Sequence, residues 1–572
     1  MVHNREIASI LGKLADMLDI KGEDPFRVRS YRNAARVISG MTESLARRAG
    51  DPENLEELPG IGKSMAQKVV EIARTGKLRQ LEDLKKEIPP SLLEILRLEQ
   101  MGPQRVRLLH EKLDIDSMED LKRAALEGEI EKLGGFGEKT SEKILREIEE
   151  FEKEDRPGRF LLGEVDELIS SLRGHLEKET ERMMVAGSYR RRKETVGDID
   201  ILAISGKPGK TMDHFTGFEE TRKVLSKGAS RSSLVLNSGL QVDLRIVEKQ
   251  SWGSALLYFT GSKAHSIALR KLGQERNWKL NEYGIFEGKN RLASQTEKSM
   301  YEKLGLRYIE PEMREDRGEF EASRENRLPS LVTLEDIRGD LHMHTSETDG
   351  RYPVEEMVEA AREKGYEYVA VSDHSKRVAM AGGLNEKRLV AQMEKIDALN
   401  GEIKNFRILK SIEVDILEDG SLDLSGEILN ELDLVVCSVH YHRNLSREKQ
   451  TSRILKAMDH PCFNILAHPT GRIIQERKPI DVDLEKVMEG AVERGCFLEI
   501  NSAPDRLDLN DEHIRMAGDM GLKLAVSTDA HTLNHLNNMR YGVDQARRGW
   551  LEKEDVINTR SWSALKKLLQ RK

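Results

Sequence analysis

A chain of 572 residues is too long for one ordinary domain and long enough for three or four with cores of their own. Charged residues make up 34%, hydrophobic residues 38% and aromatic residues 5%, which excludes collagen-like and low-complexity chains. The net charge of −8 lies wholly in residues 335–572 (34 Lys+Arg against 42 Asp+Glu), while residues 1–334 balance at 58 against 58, so a nucleic-acid partner must be held by local basic clusters.

No apolar run approaches the ~18 residues of a membrane span, and the N-terminus lacks signal-peptide anatomy. Cys437, Cys462 and Cys496 form neither an even set nor a CxxC pair. A cytoplasmic chain without membrane contact or disulfides is expected.

Residues 1–150 are predicted helical throughout, with apolar residues at three- and four-residue spacing in IASILGKLADMLDI, SMAQKVVEIARTG and SEKILREIEEF. The breaks are glycine-rich and recur as LPGIGKS (Leu58–Ser64), EQMGPQR (Glu99–Arg105) and GGFGEKT (Gly134–Thr140), each followed by a new helix. Glycines in such turns leave backbone N–H groups at a helix N-terminus open to a phosphate oxygen, which makes Gly60, Gly62, Gly102, Gly135 and Gly137 candidate DNA contacts. Ordinary glycine C-caps are the other reading, equally good for Gly102. Lys63 and Lys68 favour DNA for the first copy, and Arg27, Arg29, Arg32 and Arg36 can add a basic helical face.

From about residue 180 the grammar changes to short strand-like runs: MMVAGS, DIDILAIS, SLVLN and LQVDLRIV. Residues 310–334 are charged and poor in apolar periodicity, and the interval 316–334 is predicted to be a linker. After it, seven β-type runs alternate with helical segments and end in metal-ligand residue types: DLHMH, YVAVSDH, LKSIEVD, DLVVCSVH, FNILAH, FLEIN and LAVSTDAH. Strands alternating with helices predict a parallel sheet, and functional groups at strand C-termini are what a β/α barrel produces. Ten of the fifteen histidines follow residue 334, which points to metal chemistry there.

The segment Gly187–Leu202 reads GSYRRRKETVGDIDIL. On a strand, Asp198 and Asp200 point to one face, and Asp243 in LQVDLRIV offers a third carboxylate from a candidate neighbouring strand. Carboxylates so close repel unless a divalent cation sits between them, and three can hold two hard cations for in-line phosphoryl transfer. Gly187 and Ser188, with Arg191 behind them, offer donors to phosphates. A lone DxD is weak evidence, because most are surface turns; GS followed by DxD within strand-like runs is much stronger.

Over roughly residues 1–315 the chain resembles the family X DNA polymerases, the family of DNA polymerase beta. YFTGS (Tyr258–Ser262) matches that family's nucleotide-binding turn, whose Tyr–Phe pair lies against the sugar and disfavours ribonucleotides. NEYGIF (Asn281–Phe286) matches a further family segment, and Arg159 a triphosphate-contacting arginine. The resemblance implies that Asp198, Asp200 and Asp243 are catalytic and hold two Mg²⁺ or Mn²⁺. It implies nucleotide binding by Gly187, Ser188, Arg191, Gly197, Tyr258, Phe259 and Gly261. Tyr31 and Lys68 fall where eukaryotic members keep groups for 5′-deoxyribose phosphate lyase chemistry, with Lys68 as the Schiff-base nucleophile. Lys263 and Ser266 depart from an Asp and an Asn after the nucleotide turn, Val196 from a phosphate-contacting serine, and Ser64 from a phosphate-binding lysine.

In the last third, His342, His344, Asp349, His374, Glu413, His440, His468, Asp529 and His531 stand at successive strand ends. Nine imidazole and carboxylate ligands exceed what one ion uses, so two or three ions, manganese or zinc, are expected. His442, His460, His513 and His535 read as ordinary polar residues. The arrangement resembles the PHP (polymerase and histidinol phosphatase) superfamily. That resemblance implies one metal on His342, His344, Glu413 and Asp529, a second bridged by Glu413 to His440 and His468, and a third on Asp349, His374 and His531. Asp373, Asn501 and Arg472 are expected to support ligands or contact phosphate.

The expected architecture is multidomain: an all-α helix-hairpin-helix N-terminal region, an α+β nucleotidyltransferase palm and a C-terminal α/β distorted (β/α)7 barrel. The expected boundaries are a lyase-like DNA-binding domain at 1–85, a second helix-hairpin-helix subdomain at 86–150, the palm at 151–248 and a nucleotide-selecting subdomain at 249–315. The 316–334 linker and a phosphoesterase barrel at 335–572 complete the chain. The expected function is gap filling on gapped or primer-template DNA with dNTPs by a monomer, coupled to 3′→5′ exonucleolysis and cleavage at abasic sites in the barrel. A small-molecule phosphatase and a DNA-end-binding scaffold, each with a vestigial polymerase core, are the rival readings.

Overall fold

The computed structural model describes residues 4–39, 45, 55, 61–96, 98, 101–134, 136–137, 140–141, 143–145, 147–148 and 158–570. The chain forms two compact units, Met1–Pro157 and Gly158–Lys572. In the first, the helix Asn4–Lys21 buries Ile7, Leu11, Leu14 and Leu18, one face of a 3.6-residue repeat, against Val28, Tyr31 and Ala34 of the helix Pro25–Ser39. Helices Lys63–Thr75, Arg79–Glu87, Pro103–Leu113 and Met118–Leu126 follow. One apolar core runs from Ile7 to Ile148, so the two predicted halves, 1–85 and 86–150, are parts of one body.

The second unit begins with a five-stranded palm sheet: β1 (Arg182–Val185), β2 (Asp198–Ile204), β3 (Thr221–Lys227), β4 (Arg231–Leu236) and β5 (Gln241–Ile246), in the order β1-β2-β5-β4-β3. Only the β2–β5 pair is parallel. Alternation along β2 sends Ile199, Ile201 and Ala203 into a core shared with the helices Leu162–Leu176 and Pro208–Thr216. Leu202 and Ile204 face the other way, onto Trp252, Ala255 and Leu256 of the helix Trp252–Thr260. Asp198 and Asp200 therefore share the face of Leu202.

The interval predicted as a linker is folded. Glu319–Arg324 is a helix, and Met313, Phe320 and Leu331 belong to the apolar core of the subdomain built on the helices Lys263–Gln274 and Glu297–Lys303. Its charges misled the sequence reading because they are internally satisfied. Glu319, wholly buried, accepts from His265 Nδ1 at 2.7 Å and from the N–H groups of Asp316 and Arg317, while His265 Nε2 pairs with the Tyr301 hydroxyl at 2.8 Å.

The barrel strands are β6 (Gly339–Asp340), β7 (Tyr368–Val371), β8 (Arg407–Asp415), β9 (Leu434–Ser438), β10 (Ile465–Leu466), β11 (Phe497–Asn501) and β12 (Leu524–Ser527), parallel throughout and in chain order. A parallel bridge between Met343 and Ala530 brings the ends of the sheet together. Leu341, Ala370, Leu409, Val436 and Ile465 form one core with Leu565 and Leu569 of the helix Trp562–Leu569. Val414, Cys437, Leu498 and Val526 pack instead on surrounding helices such as Arg447–Met458 and Leu484–Arg494.

Palm and barrel are joined directly. Leu507 and Tyr541 enter the palm core, and the Tyr541 hydroxyl donates to Asp166 at 2.9 Å. Arg548, buried, donates to the Arg191 carbonyl at 2.6 Å and pairs with Glu315 and Asp511.

Candidate active sites

Asp200 lies directly opposite Asp243 across the β2–β5 pair, with Asp198 two residues earlier on the same face. Burial, then Asp198 and Asp243, working against Arg245 and Arg231, push the Asp200 carboxyl up to about 6. Asp243 accepts from Arg231 Nη2 at 3.1 Å and Gln241 Nε2 at 3.3 Å, and Arg245 Nη2 lies 3.7 Å away. Three converging carboxylates, with the proton affinity of Asp200 raised among them, fit divalent cations, which would remove the repulsion that raises it.

The GSYR turn closes one side of this cluster. Gly187 has φ 63°, and a Cβ there would stand 3.4 Å from Asp200 Oδ2. Ser188 follows in the turn Gly187–Arg190. The YFTGS segment is the end of the helix Trp252–Thr260, and Gly261, with φ 68°, terminates it. Arg245 ties this segment to the carboxylates: it sits 4.5 Å over the Phe259 ring, and the half-exposed Tyr258 meets Phe259 edge-on.

Two of the arginines expected at phosphates also bond the protein. Arg191 donates to the Thr260 carbonyl at 2.5 Å and to Glu315 at 3.1 Å, so it braces the nucleotide turn from behind. Arg159 donates to Thr195 Oγ1 and its carbonyl at 2.9 and 2.6 Å, and a Cβ on Gly197 would lie 3.3 Å from Arg159 Nη1.

In the barrel the nine predicted ligands converge. Glu413, on β8, is the hub: His374 Nδ1 lies 2.7 Å from its carboxylate, His468 Nε2 3.0 Å, His440 Nε2 3.5 Å, and His342 and His344 Nε2 both 3.7 Å. Asp529 Oδ1 stands 3.1 Å from His344 Nε2 and 3.6 Å from His342 Nε2. Asp349 meets His374 and His531 at 3.3 and 3.4 Å.

Three sets could each surround an ion, with ligand atoms all within 4.8 Å: His342, His344 and Asp529; His374, Glu413 and His440; and His344, Asp349, His374 and His531. His344 and His374 each fall in two sets, a sharing the sequence reading did not include. His344 Nδ1, His374 Nδ1 and Glu413 Oε2 are buried without a hydrogen bond, despite the 2.7 Å approach of the last two. Nitrogen and oxygen donors crowded this closely around one buried carboxylate fit a cation.

The electrostatics agree. Burial opposes a charge on His374, but Glu413 and Asp349 overcome it and raise the imidazole to about 10. Burial and then His374 and His531 hold His344 down at about 3. Burial also opposes ionisation of Glu413, yet His440, His374 and His342 hold it well below the usual carboxylate range. The cluster stores positive charge on imidazoles where metal ions would carry it instead.

Two supporting carboxylates escaped the sequence reading. Glu499 accepts from His342 Nδ1 at 2.7 Å, and Asp415 lies 3.2 Å from His440 Nδ1, orienting each imidazole. Both sit in the quoted strand runs FLEIN and LKSIEVD, so the signal was present as an acid beside a chosen ligand. Asn501 donates to Glu499 and Asp529 at 3.1 Å, and Asp373 holds the loop after β6 through Thr345 and Thr348. Arg472 does not face phosphate here; its guanidinium is bound by Glu194 of the palm at 2.7 Å and by the Arg506 and Leu507 carbonyls.

In the helical unit, Gly62 and Gly102 are N-caps with φ −84° and −96°, and Gly137 accepts from the N–H groups of Thr140 and Ser141. The C-cap reading is thereby replaced. A Cβ on any of the three would meet nothing within 4 Å among the described residues, so their packing does not demand glycine there. Gly60 and Gly135 lie outside the described residues, as does the side chain of Arg36. Lys68 Nζ donates to Ser64 Oγ at 3.0 Å, 5.8 Å from the Tyr31 ring centre. Arg27 pairs with Glu23, and Arg32 with Asp16 and Asp19, so much of the predicted basic face is neutralised.

Known families match in the same order. A helix-hairpin-helix domain matches residues 2–78, a SAM-like helix-hairpin-helix tandem 92–150, the DNA polymerase beta thumb 255–315 and the PHP domain 340–503. The DNA polymerase/3′-5′ exonuclease PolX of Bacillus subtilis is 35% identical over the full length of both chains. DNA polymerase lambda of Arabidopsis thaliana is 27% identical over 54% of this chain and 62% of its own. A probable phosphatase of Caldanaerobacter subterraneus is 28% identical over 41% of this chain and 91% of its own, and such phosphatases cover only the PHP part.

Proposed function

Because the chain belongs to the family X DNA polymerases that carry a C-terminal PHP domain, we infer that it fills short DNA gaps in the palm and removes 3′-terminal nucleotides in the barrel. The observation that carries this reading is the pairing, within one compact unit, of an in-register carboxylate trio and an imidazole–carboxylate cup in which eight side chains form candidate ion sets and His468 adds a ninth beside Glu413. Asp198, Asp200 and Asp243 would hold two Mg²⁺ or Mn²⁺ in the palm. In the barrel, Glu413 with its surrounding histidines, Asp349 and Asp529 would hold two or three Mn²⁺ or Zn²⁺, for which mixed nitrogen and oxygen donors are the better match. Such ions would lower the pKa of the attacking hydroxyl or water and neutralise charge on the leaving group.

The chain's own residues do the positioning. Gly187 lets a triphosphate approach beside Asp200, Arg245 aligns Phe259 with the carboxylates, and Arg191 fixes the turn that carries Gly261. In the barrel, Glu499 and Asp415 keep His342 and His440 turned toward Glu413. The hairpin glycines Gly62, Gly102 and Gly137 would take DNA phosphates on their open sides, and Lys68 a 5′-terminal phosphate or an abasic aldehyde. A small-molecule phosphatase would use the barrel alone and leave the palm trio without purpose.

The test uses gapped DNA with dNTPs and, separately, 3′-recessed DNA with Mn²⁺ and no dNTPs. Asp200→Ala should lose extension and keep degradation, and His344→Ala the reverse; degradation undiminished in His344→Ala, or normal extension by Asp200→Ala, would remove the corresponding assignment.

A further inference from the structure

Beyond the ligand cup, the barrel carries a group of arginines that the chemistry described so far does not use. Arg443 follows the ligand His440 by three residues, and Gly471 follows the ligand His468 by three. Arg443 Nη2 and Arg477 Nε both donate to the Gly471 carbonyl, at 2.7 and 3.1 Å. Gly471 permits this approach, since it has φ 55° and a Cβ there would come within 2.2 Å of Arg443 Nη1. Arg506, on the loop after β11, adds its charge to theirs through space. Each guanidinium has five N–H donors. Those two bonds are the protein acceptors the three side chains meet among the described residues, and none has a carboxylate within 4.0 Å.

Like charges converge here at a cost. Burial, then Arg477 and Arg506, pull Arg443 down to about 10, and Arg477 is lowered by burial and then Arg506. Asp508, Asp505 and Glu476 face the group at longer range. Asp508, the buried one, is itself raised by burial and lacks a partner on Oδ1, so it offsets little. A cluster of guanidiniums without carboxylate partners, Arg443 and Arg506 half-buried and Arg477 exposed, next to two ligand-bearing loops is the chemistry that recognises a phosphate, because Arg presents its donors as a planar fork.

We propose that Arg443, Arg477 and Arg506 form a phosphate-binding subsite beside the ligand cup, gripping the backbone of a DNA strand at a phosphate adjoining the one that is cut. This rests on the nuclease reading, and it explains what makes the barrel act on polynucleotides rather than on small phosphate esters. Ligands alone select phosphorus; the arginines select a chain of phosphates. Arg472 instead bonds Glu194 of the palm and two carbonyls of the loop after β11.

The test compares wild type with R443Q/R506Q and with R477Q on two substrates in Mn²⁺, 3′-recessed DNA and bis(4-nitrophenyl) phosphate, alongside anisotropy of fluorescein-labelled pTpTpT without metal. The ratio of kcat/KM for DNA to that for the small diester should fall at least tenfold in the double variant. Binding of pTpTpT should weaken with it, and the salt slope of that binding should drop by about 0.7 for each phosphate the variant no longer neutralises. An unchanged ratio and slope in folded protein would overturn the subsite. So would equal losses on both substrates, which would place the arginines in support of the cup. If wild type hydrolyses the small diester but leaves DNA intact, the nuclease reading fails instead, and the pTpTpT measurement still judges the subsite.

Discussion

The palm and the barrel solve one electrostatic problem with opposite materials. In the palm, acid is gathered on two adjacent strands, and the groups around it are arginines: Arg231 and Arg245 face Asp243. In the barrel, imidazoles are gathered from separate strand ends around one carboxylate, and the groups behind them are acids, Glu499 and Asp415. Hard oxygen donors suit cations that arrive with a nucleotide and leave with pyrophosphate; a mixed nitrogen and oxygen cup suits ions that stay. The two sites thus differ in how much of the metal's grip is built into the fold.

The sharpest way to break the comparison is at the hub. Glu413→Gln removes the charge that five histidines face, and degradation should fall by about 10³-fold or more, as for members of a catalytic unit. Bound Mn²⁺ or Zn²⁺, counted by atomic absorption after gel filtration, should fall with it while gap filling persists. Metal retained at the wild-type level would show that Glu413 is not the hub.

Next in size is the junction. Arg548 is buried with Glu315 and Asp511 and touches the Arg191 carbonyl, so Arg548→Ala takes the buried cation from two carboxylates and leaves them to Arg191 and Arg317. A loss of about 3–5 kcal/mol in urea unfolding is expected. Extension should suffer as well, since Glu315 also holds Arg191 behind the nucleotide turn. A stability change below about 1 kcal/mol would make this junction a surface contact in energetic terms.

The metal-free palm should respond with the opposite sign. Asp200 binds its proton more tightly folded than unfolded, with a carboxyl raised to about 6. Its penalty is absent below the unfolded value of ~3.9, grows as pH rises through 6 and is complete above it. Asp200→Asn should therefore stabilise metal-free protein at pH 7.5 by about 1–2 kcal/mol after solvent screening, and not at all at pH 4. Equal melting temperatures for the two proteins at both pH values would count against the crowding of the trio.

The smallest effect belongs to the hairpins. Gly62→Val places a side chain in open space, leaving stability nearly intact but obstructing a phosphate. The preference for 5′-phosphorylated gaps should weaken about tenfold, ~1.4 kcal/mol, and lose salt sensitivity. An unaltered preference would make that turn purely structural.

How far the sequence speaks depends on whether a property is local. Strand period, helix period and the residue type at a strand's end are set within a few positions. The seven barrel strands, the DxD face of β2 and the nine side chains that line the cup were therefore legible in strand ends and residue types. Partner choice is not local. Arg191 and Arg472 were expected at phosphates because an exposed arginine and one bonded to a distant carboxylate are written identically, and these two also bond carboxylates 124 and 278 residues away. The charged interval after Glu310 read as a linker for the same reason, since Glu319 is hydrogen-bonded to His265, and only folding brings them together. The arginine group around Gly471 comes from three separate loops and has no sequence signature. Ligand chemistry was thus determined by the sequence, whereas which charges are spent inside the protein and which remain for a substrate was decided by the tertiary structure, because neutralisation depends on distance in space.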